Sequence, residues 1–272
     1  RPRIACARAD GSAGSRPLPG WASARWIRIA ALSVITLPSG STSVGTRPVG
    51  LMRSSASKSG PGSHDAVRTG SPGRAGLSLL LMPRGLPGFK QHALKKSGWW
   101  SSDTAELVFD GCRIPAANLL GEENQGFRSV MKNFQTERIA LGAMAVGHCM
   151  QALKLTLTHV RDRRAFGATL FDKQAVRQRI AMLDAKVRAA RQYLYHCAWL
   201  VTQGRDVVQD VSMLKALSGE LVNEVVQGCQ QFHGGMGYMR GMAIERLWRD
   251  ARILSIGGGA TEVMLDEAAK RY

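Results

Sequence analysis

Proline is absent from the second half of this sequence: none occurs between residue 116 and residue 272. Because proline lacks an amide donor and its ring collides with the preceding helical turn, its absence permits long helices there. Residues that favour helices, such as alanine, leucine, glutamate and arginine, dominate the same region. Long apolar runs are also absent. The longest near the start, 29–37, is far shorter than the ~20 residues that a membrane helix needs, so we expect no membrane span.

Closely spaced cysteines and metal-ligand motifs are missing too. None of the five cysteines belongs to a CxxC pair, and an odd number cannot all pair within one chain. We therefore expect reduced thiols and a cytoplasmic protein, or a mitochondrial-matrix protein in a eukaryote. The adjacent pairs His148–Cys149 and His196–Cys197 would point to different faces of a helix, so no metal site is expected.

Acidic residues are scarce only in part of the chain. The 37 basic and 20 acidic residues give a net charge of +17, but 11 of the basic and only 2 of the acidic residues occur up to Arg74. The remainder therefore carries a modest excess that suits an enzyme of anionic ligands as well as a nucleic-acid binder. The basic residues show no interleaved aromatics and no known binding motif, so nucleic-acid binding is disfavoured.

Residues 1–65 show neither a helical nor a strand period and are crowded with serine, glycine, arginine and proline. Such composition is typical of disorder. A sharper interpretation is that this stretch is translated out of frame, because patterned sequence begins abruptly near residue 66. A flexible basic tail is the alternative.

Residues 66–120 have the patterns of strands. The run 77–82 reads as a buried strand closed by a Pro/Gly turn at 83–88, and 104–109 alternates polar and apolar side chains. Beyond residue 121, apolar residues recur at intervals of three and four over the stretches 138–160, 174–202, 207–232, 242–253 and 262–270. The sequence predicts a mainly α fold: a C-terminal antiparallel four-helix bundle over 121–272, preceded by a partial β domain over 66–120.

Glu137 is a carboxylate ahead of an otherwise apolar helix face. It stands in the segment Gln135–Thr136–Glu137–Arg138, which we place at a helix start. A carboxylate there could act as a general base. It could equally complement the positive end of the helix dipole or pair with Arg138, which is the ordinary interpretation of an isolated glutamate.

Three further segments could contact a ligand. Arg163, before Phe166–Gly167, could hold a phosphate or belong to a solvated basic turn. The glycines of 234–237 could admit backbone amides to a ligand or simply end a helix; their spacing is not that of a dinucleotide fingerprint. The glycine turn 257–259 leads into a helix whose free amides could meet an anion or a carbonyl. Each signal is weak alone.

The order and spacing of these segments are more specific. In chain order they are the strand segment 101–107, Arg163-x-x-Phe166-Gly167 with Gln174 downstream, Gln231-x-x-Gly234-Gly235-x-Gly237-Tyr238, and the glycine turn. This order resembles the C-terminal part of the acyl-CoA dehydrogenase family, from about residue 76 to the end. The resemblance implies a four-helix bundle, part of a middle β domain, FAD as cofactor and an acyl-CoA thioester as substrate.

The resemblance also implies a glutamate base that removes the thioester α-proton while a hydride leaves the β-carbon for flavin N5. Most of the family carry this glutamate in the terminal turn, where this chain has Gly258. The isovaleryl-CoA and long-chain branch carries it on an earlier helix just before an arginine, where this chain has Glu137 and Arg138. One position is empty and the other is filled, which favours Glu137 as the base and this branch as the nearest in pattern.

The remaining roles follow from the same resemblance. Residues that would border the acyl group are Gln135, Thr136, Arg138, Gly258 and Gly259. Residues that would bind FAD are Arg163, Phe166, Gln174, Gln231, Phe232, His233, Gly234, Gly235, Ala260, Thr261 and Glu262. The family's usual threonine after the glycines is Ala260 here, with the hydroxyl one place later.

Because the family's contacts from Arg163 and 231–235 reach a neighbouring subunit's flavin, the resemblance implies a homodimer or homotetramer. An electron-transferring flavoprotein is the implied electron acceptor. The segment that holds the flavin ring in the family has no counterpart in 1–65. The alternative to an active dehydrogenase is therefore a non-catalytic remnant, at most a helical oligomerising module.

Overall fold

The structure, a computed structural model, describes residues 26–28, 62–83, 85–102 and 104–272. The expectation of disordered or out-of-frame sequence falls mostly on residues outside this part. Within 1–65 the structure describes one short strand, Trp26–Arg28, and the start of another at Gly62. This second strand is paired continuously with residues 77–83, from Gly62 opposite Pro83 onward. This strand therefore begins four residues before position 66, where the sequence pattern predicted the start of regular structure.

Short antiparallel strands precede the bundle. They are β1 (Trp26–Arg28), β2 (Gly62–Arg68), β3 (Leu77–Pro83), β4 (Phe89–Ala93), β5 (Ala105–Phe109), β6 (Arg113–Pro115) and β7 (Leu119–Leu120). Strands β2, β3 and β7 form one sheet in that order, β4 pairs with β5, and β1 pairs with β6. Val67, Leu80, Met82 and Ile114 are buried together beneath them. The predicted strands at 77–82 and 104–109 are confirmed as β3 and β5.

Five α-helices follow in the described chain. They are α1 (Gly126–Asp162), α2 (Gln174–Thr202), α3 (Val208–Phe232), α4 (Ala243–Ala251) and α5 (Thr261–Ala269). The predicted spans agree within two residues for all but α1, which begins well before the predicted residue 138. The early part of α1 is mostly polar, so its period is weak. The start of α1 packs closely on β3: a Cβ on Gly126 would lie only 2.7 Å from the Ser78 carbonyl carbon.

The long helices alternate in direction, as predicted. Lys186 of α2 contacts Glu224 in the later part of α3, with 2.8 Å between Nζ and Oε1. Further along α2, the Tyr193 hydroxyl donates to the carbonyl of Asp210, at the start of α3, at 3.2 Å. Helix α3 lies centrally and buries side chains against α1, α2, α4 and α5. The four cysteines in the described residues are buried and free. Burial raises the pKa of the Cys149 thiol to about 12, so it is a poor nucleophile.

A tryptophan pair joins the strand region to the bundle. The Trp99 amide donates to Asp250 Oδ1 at 2.7 Å, and the Arg249 guanidinium lies 3.7 Å from the centroid of the Trp100 ring. Gly98 allows this approach, because a Cβ there would lie 2.4 Å from the Arg249 carbonyl oxygen. Helix α4 is thereby fixed just before the chain reaches the glycine turn.

Candidate active site

Glu137 lies inside α1, about three turns after the helix begins at Gly126. The prediction of a helix start at Glu137 is therefore wrong. The helix-dipole interpretation fails with it, because the dipole acts mainly within the first turn. The Glu137 side chain is exposed, and the Asn133 amide Nδ2 donates to its Oε1 at 2.5 Å. Asn133 stands one turn earlier on the same face of the helix.

Arg138 joins α1 to the glycine turn, which comprises Gly257, Gly258 and Gly259. Its Nε donates to the Gly258 carbonyl at 3.2 Å, across 120 positions of sequence. Burial lowers the pKa of this guanidinium, while Glu267 and Glu137 act in the opposite direction. Arginine nevertheless keeps its charge at neutral pH. The contact thus joins the residue that follows Glu137 to the glycine turn.

Glycine is required at two positions of this turn. Gly258 has φ +72°, and a Cβ there would lie 2.2 Å from Leu141 Cδ1. Gly259 has φ +120°, and its Cβ would lie 2.6 Å from Met264 Cε. Leu141 stands one turn after Glu137 on α1, so the carboxylate and the glycine turn share one side of the helix.

The start of α5 continues from the turn. Ala260 is the N-cap residue, Thr261 and Glu262 follow in the first turn, and Glu262 is exposed. The Thr261 hydroxyl donates to Glu220 Oε1 at 2.7 Å, so α3 already binds the hydroxyl that the family pattern would give to the cofactor. Of the predicted acyl-side residues on α1, Gln135 is half-buried and Thr136 is exposed.

A tight hairpin follows α1. Strand β8 (Arg164–Ala165) pairs with β9 (Ala168–Thr169), and Phe166 and Gly167 between them both have positive φ, 54° and 80°. Two positive φ values are typical of a hairpin turn that matches the strand twist. The turn leaves the Phe166 ring 91% exposed, and Arg163 is exposed as well. Among the residues that the structure describes, nothing buries the side chain of either predicted cofactor residue.

The end of α3 lies beside the end of α1. The ring centroids of His159 and His233 are 4.3 Å apart, and Thr156 Oγ1 lies 3.3 Å from His233 Nε2. Burial, followed by the nearby His159, lowers the pKa of His233 to about 4. Gly234 and Gly235 face open space, since a Cβ on either would meet nothing within 4 Å. Their backbone is accessible to a ligand.

The predicted cofactor residues before residue 240 gather at this end of the bundle, which we call the hairpin end. Gln174 begins α2 there and is exposed. A groove of about 500 Å³ between α2 and α3 is lined by Val176, Arg179, Gln231 and Phe232 among others. Helix α1 separates the hairpin end from Glu137 by 25 residues, or about 38 Å at the rise of an α-helix. The predicted site is therefore split into two groups within one chain.

Comparison with known proteins gives the family. The family model described as acyl-CoA dehydrogenase, C-terminal domain, matches residues 124–272, which is more than half of the chain. The chain belongs to the acyl-CoA dehydrogenase family. The resemblance predicted from the motifs is confirmed, and the helical bundle corresponds to the family's C-terminal domain.

Individual relatives agree. The chain is 39% identical over 198 residues to cyclohexane-1-carbonyl-CoA dehydrogenase of Geobacter metallireducens, covering 72% of this chain and 52% of the relative. It is 38% identical over 197 residues to the mitochondrial long-chain specific acyl-CoA dehydrogenase of Rattus norvegicus, covering 72% and 46%. The crystal structure of acyl-CoA dehydrogenase from Geobacillus kaustophilus superposes with a TM-score of 0.74 at 34% identity, covering 76% and 55%. The chain thus spans about half the length of these relatives.

Four residues near the site were not predicted. Asn133 could have been found from its helical spacing to Glu137, whereas Thr156 and His159 approach His233 only through the packing of α1 on α3. Lys215 on α3 donates to the Gly259 carbonyl, and no local sequence signal marks it. In the part of the chain that the structure describes, no group of three or more metal-ligating side chains occurs. No helix there is long and apolar enough to cross a membrane.

Proposed function

We propose that this chain forms the C-terminal part of an FAD-dependent enzyme that desaturates an acyl-CoA thioester between its α and β carbons. The observation that carries the proposal is the contact between Arg138 Nε and the Gly258 carbonyl. Arg138 directly follows Glu137 in α1, so the contact supports a site in which Glu137 serves the turn where most of the family carry their base. Glu137 fills one of the family's two base positions and Gly258 leaves the other empty. The site would therefore have a single carboxylate, as in the isovaleryl-CoA and long-chain branch.

Glu137 is the base in this proposal. The α-proton of a thioester is weakly acidic, so a carboxylate can remove it only when water is excluded and the developing enolate is stabilised. Because the carboxylate of Glu137 is exposed in the single chain, substrate and cofactor must cover it. When bound, FAD supplies the acceptor for the β-hydrogen. Free amides at the start of α5 supply donors for the thioester oxygen.

The residues of the hairpin end serve a neighbouring subunit's FAD in this proposal. Their separation of about 38 Å from Glu137 along α1 argues against both groups meeting one reacting centre. Arg163 offers a bidentate donor for the pyrophosphate, and Gly234 and Gly235 offer open backbone. The Phe166 ring, 91% exposed in the described structure, packs against the neighbour's cofactor in this proposal. A homodimer or homotetramer follows, with an electron-transferring flavoprotein as the electron acceptor.

The experiment uses the chain completed to the length of its relatives. Anaerobic addition of acyl-CoA thioesters, straight and branched, should bleach the flavin absorbance of the purified protein. The 272-residue chain should hold flavin only in fractions that are also oligomeric, so absorbance and size are measured together by gel filtration. A completed protein whose bound flavin no acyl-CoA reduces would contradict the proposal, and a monomer with tightly bound FAD would contradict the inter-subunit part.

A further inference from the structure

Two cations from different helices hold consecutive carbonyls of the glycine turn. Arg138 on α1 donates through Nε to the Gly258 carbonyl, and Lys215 on α3 donates through Nζ to the Gly259 carbonyl. Lys215 is only 1% exposed, so its ammonium group is held inside the bundle. Burying an ammonium group is costly unless it is well hydrogen-bonded, so its position beneath the turn is a specific feature of this core.

The two contacts fix the direction of the turn's amides. In a trans peptide the C=O and the following N–H lie in one plane and point in opposite directions, and the described chain contains no cis bond. Holding the Gly259 carbonyl on Lys215 therefore turns the Ala260 N–H away from α3. Holding the Gly258 carbonyl on Arg138 likewise turns the Gly259 N–H away from α1.

These two amides are left available. Neither the Gly259 N–H nor the Ala260 N–H donates to an acceptor among the residues that the structure describes, and no side chain caps α5. Both lie at the positive end of that helix. The positive φ values of Gly258 and Gly259 allow the arrangement, which other residues would strain.

We propose that Lys215 is a positioning residue: it acts through the Gly259 carbonyl to hold the glycine turn and to fix the free Ala260 amide in the orientation that receives the thioester. The inference rests on the proposed function for the identity of the ligand. The claim that Lys215 holds the glycine turn in place does not depend on the proposed function. Lys215 touches neither the substrate nor the reacting atoms, and Arg138 provides the matching contact from the opposite helix.

The test replaces Lys215 with methionine, an unbranched side chain one atom shorter, which removes the charge and the hydrogen-bond donors. Lys154→Met is the matched control, since Lys154 is an exposed lysine on α1. The Ile256 and Gly257 amides, which both donate to the Ile253 carbonyl, report on the turn by hydrogen exchange in the 272-residue chain. Lys215→Met should speed their exchange by about tenfold or more, the effect of a lost charge-assisted hydrogen bond. Exchange of buried amides in α3 should be unchanged.

A second readout separates positioning from general support. In the completed enzyme with FAD bound, Lys215→Met should lower kcat by about tenfold or more while flavin retention stays at the wild-type level. Unchanged exchange at Ile256 and Gly257, or an equal rise throughout α3, would overturn the inference. If Lys215→Met does not fold, Lys215→Arg decides: wild-type exchange in the turn supports the role and faster exchange refutes it. If wild-type protein reduces no flavin yet the exchange result holds, only the proposed function fails.

Discussion

The Nε atom of Arg138 lies 3.2 Å from the carbonyl oxygen of Gly258, so the helix that carries Glu137 is bonded directly to the glycine turn. The contact joins the residue that follows Glu137 to Gly258, where most of the family carry their base. In the proposed site, Glu137 supplies the carboxylate that position 258 lacks.

Gly258→Ala should destabilise the protein more than Gly204→Ala. Both glycines have positive φ, but a Cβ on Gly204 would meet nothing within 4 Å, whereas one on Gly258 would press on Leu141. The left-handed backbone alone should cost about 1 kcal/mol or more at either position. Crowding should add about 1 kcal/mol or more at Gly258. If denaturant unfolding shows the same loss of unfolding free energy in both variants, the Leu141 side chain moves aside at no cost. A glutamate introduced at position 258 would meet the same constraint.

The free energy of unfolding should decrease as the pH is lowered, because His233 takes up a proton more readily in the unfolded chain. Its pKa is lowered from 6.5 to about 4 in the folded chain, so the unfolded state binds more protons between these values. Stability is therefore complete above about pH 6.5 and decreases as the pH falls towards 4. The ring is half-buried, so the slope should stay below ~1.4 kcal/mol per pH unit.

His233→Phe keeps a ring against His159 and removes the titration. Its unfolding free energy, measured by denaturant at several pH values, should fall less steeply than that of the wild type. The comparison isolates His233 from His148, whose pKa burial also lowers, and from Asp172, whose lowered pKa acts at a more acid pH. Superimposable slopes would mean that His233 does not contribute.

Local patterns predicted the long helices well and the tertiary contacts poorly. Helices α2 and α3 have a clear apolar period that gave their bounds, whereas the mostly polar start of α1 hid its first three turns. Glu137 was proposed as the base because two family positions could be compared, and it stays a prediction. The Arg138–Gly258, Lys215–Gly259 and Trp99–Asp250 contacts join residues 44 to 151 positions apart, and no periodicity records such pairs.

Phe166→Ala should leave the folded chain as stable as the wild type, because the ring is 91% exposed and loses no contact. It should nevertheless weaken FAD retention by up to about tenfold, since an aromatic contact to a neighbour's cofactor is lost. Flavin content after gel filtration measures this effect. Tyr272→Ala, at a 94% exposed aromatic, is the matched control and should retain its flavin. Equal retention in both variants would remove Phe166 from the cofactor site.

The base assignment is tested most directly by Glu137→Gln in the chain completed to the length of its relatives. The substitution keeps shape and volume but removes the proton acceptor, and Glu123→Gln, at an exposed carboxylate before α1, serves as control. Anaerobic stopped-flow mixing with acyl-CoA measures the rate of flavin reduction, and absorbance before mixing measures bound FAD. Reduction should slow by roughly 10² to 10⁴ in Glu137→Gln with FAD still bound, and stay normal in the control. A Glu137→Gln variant that reduces its flavin at the wild-type rate would show that Glu137 is not the base.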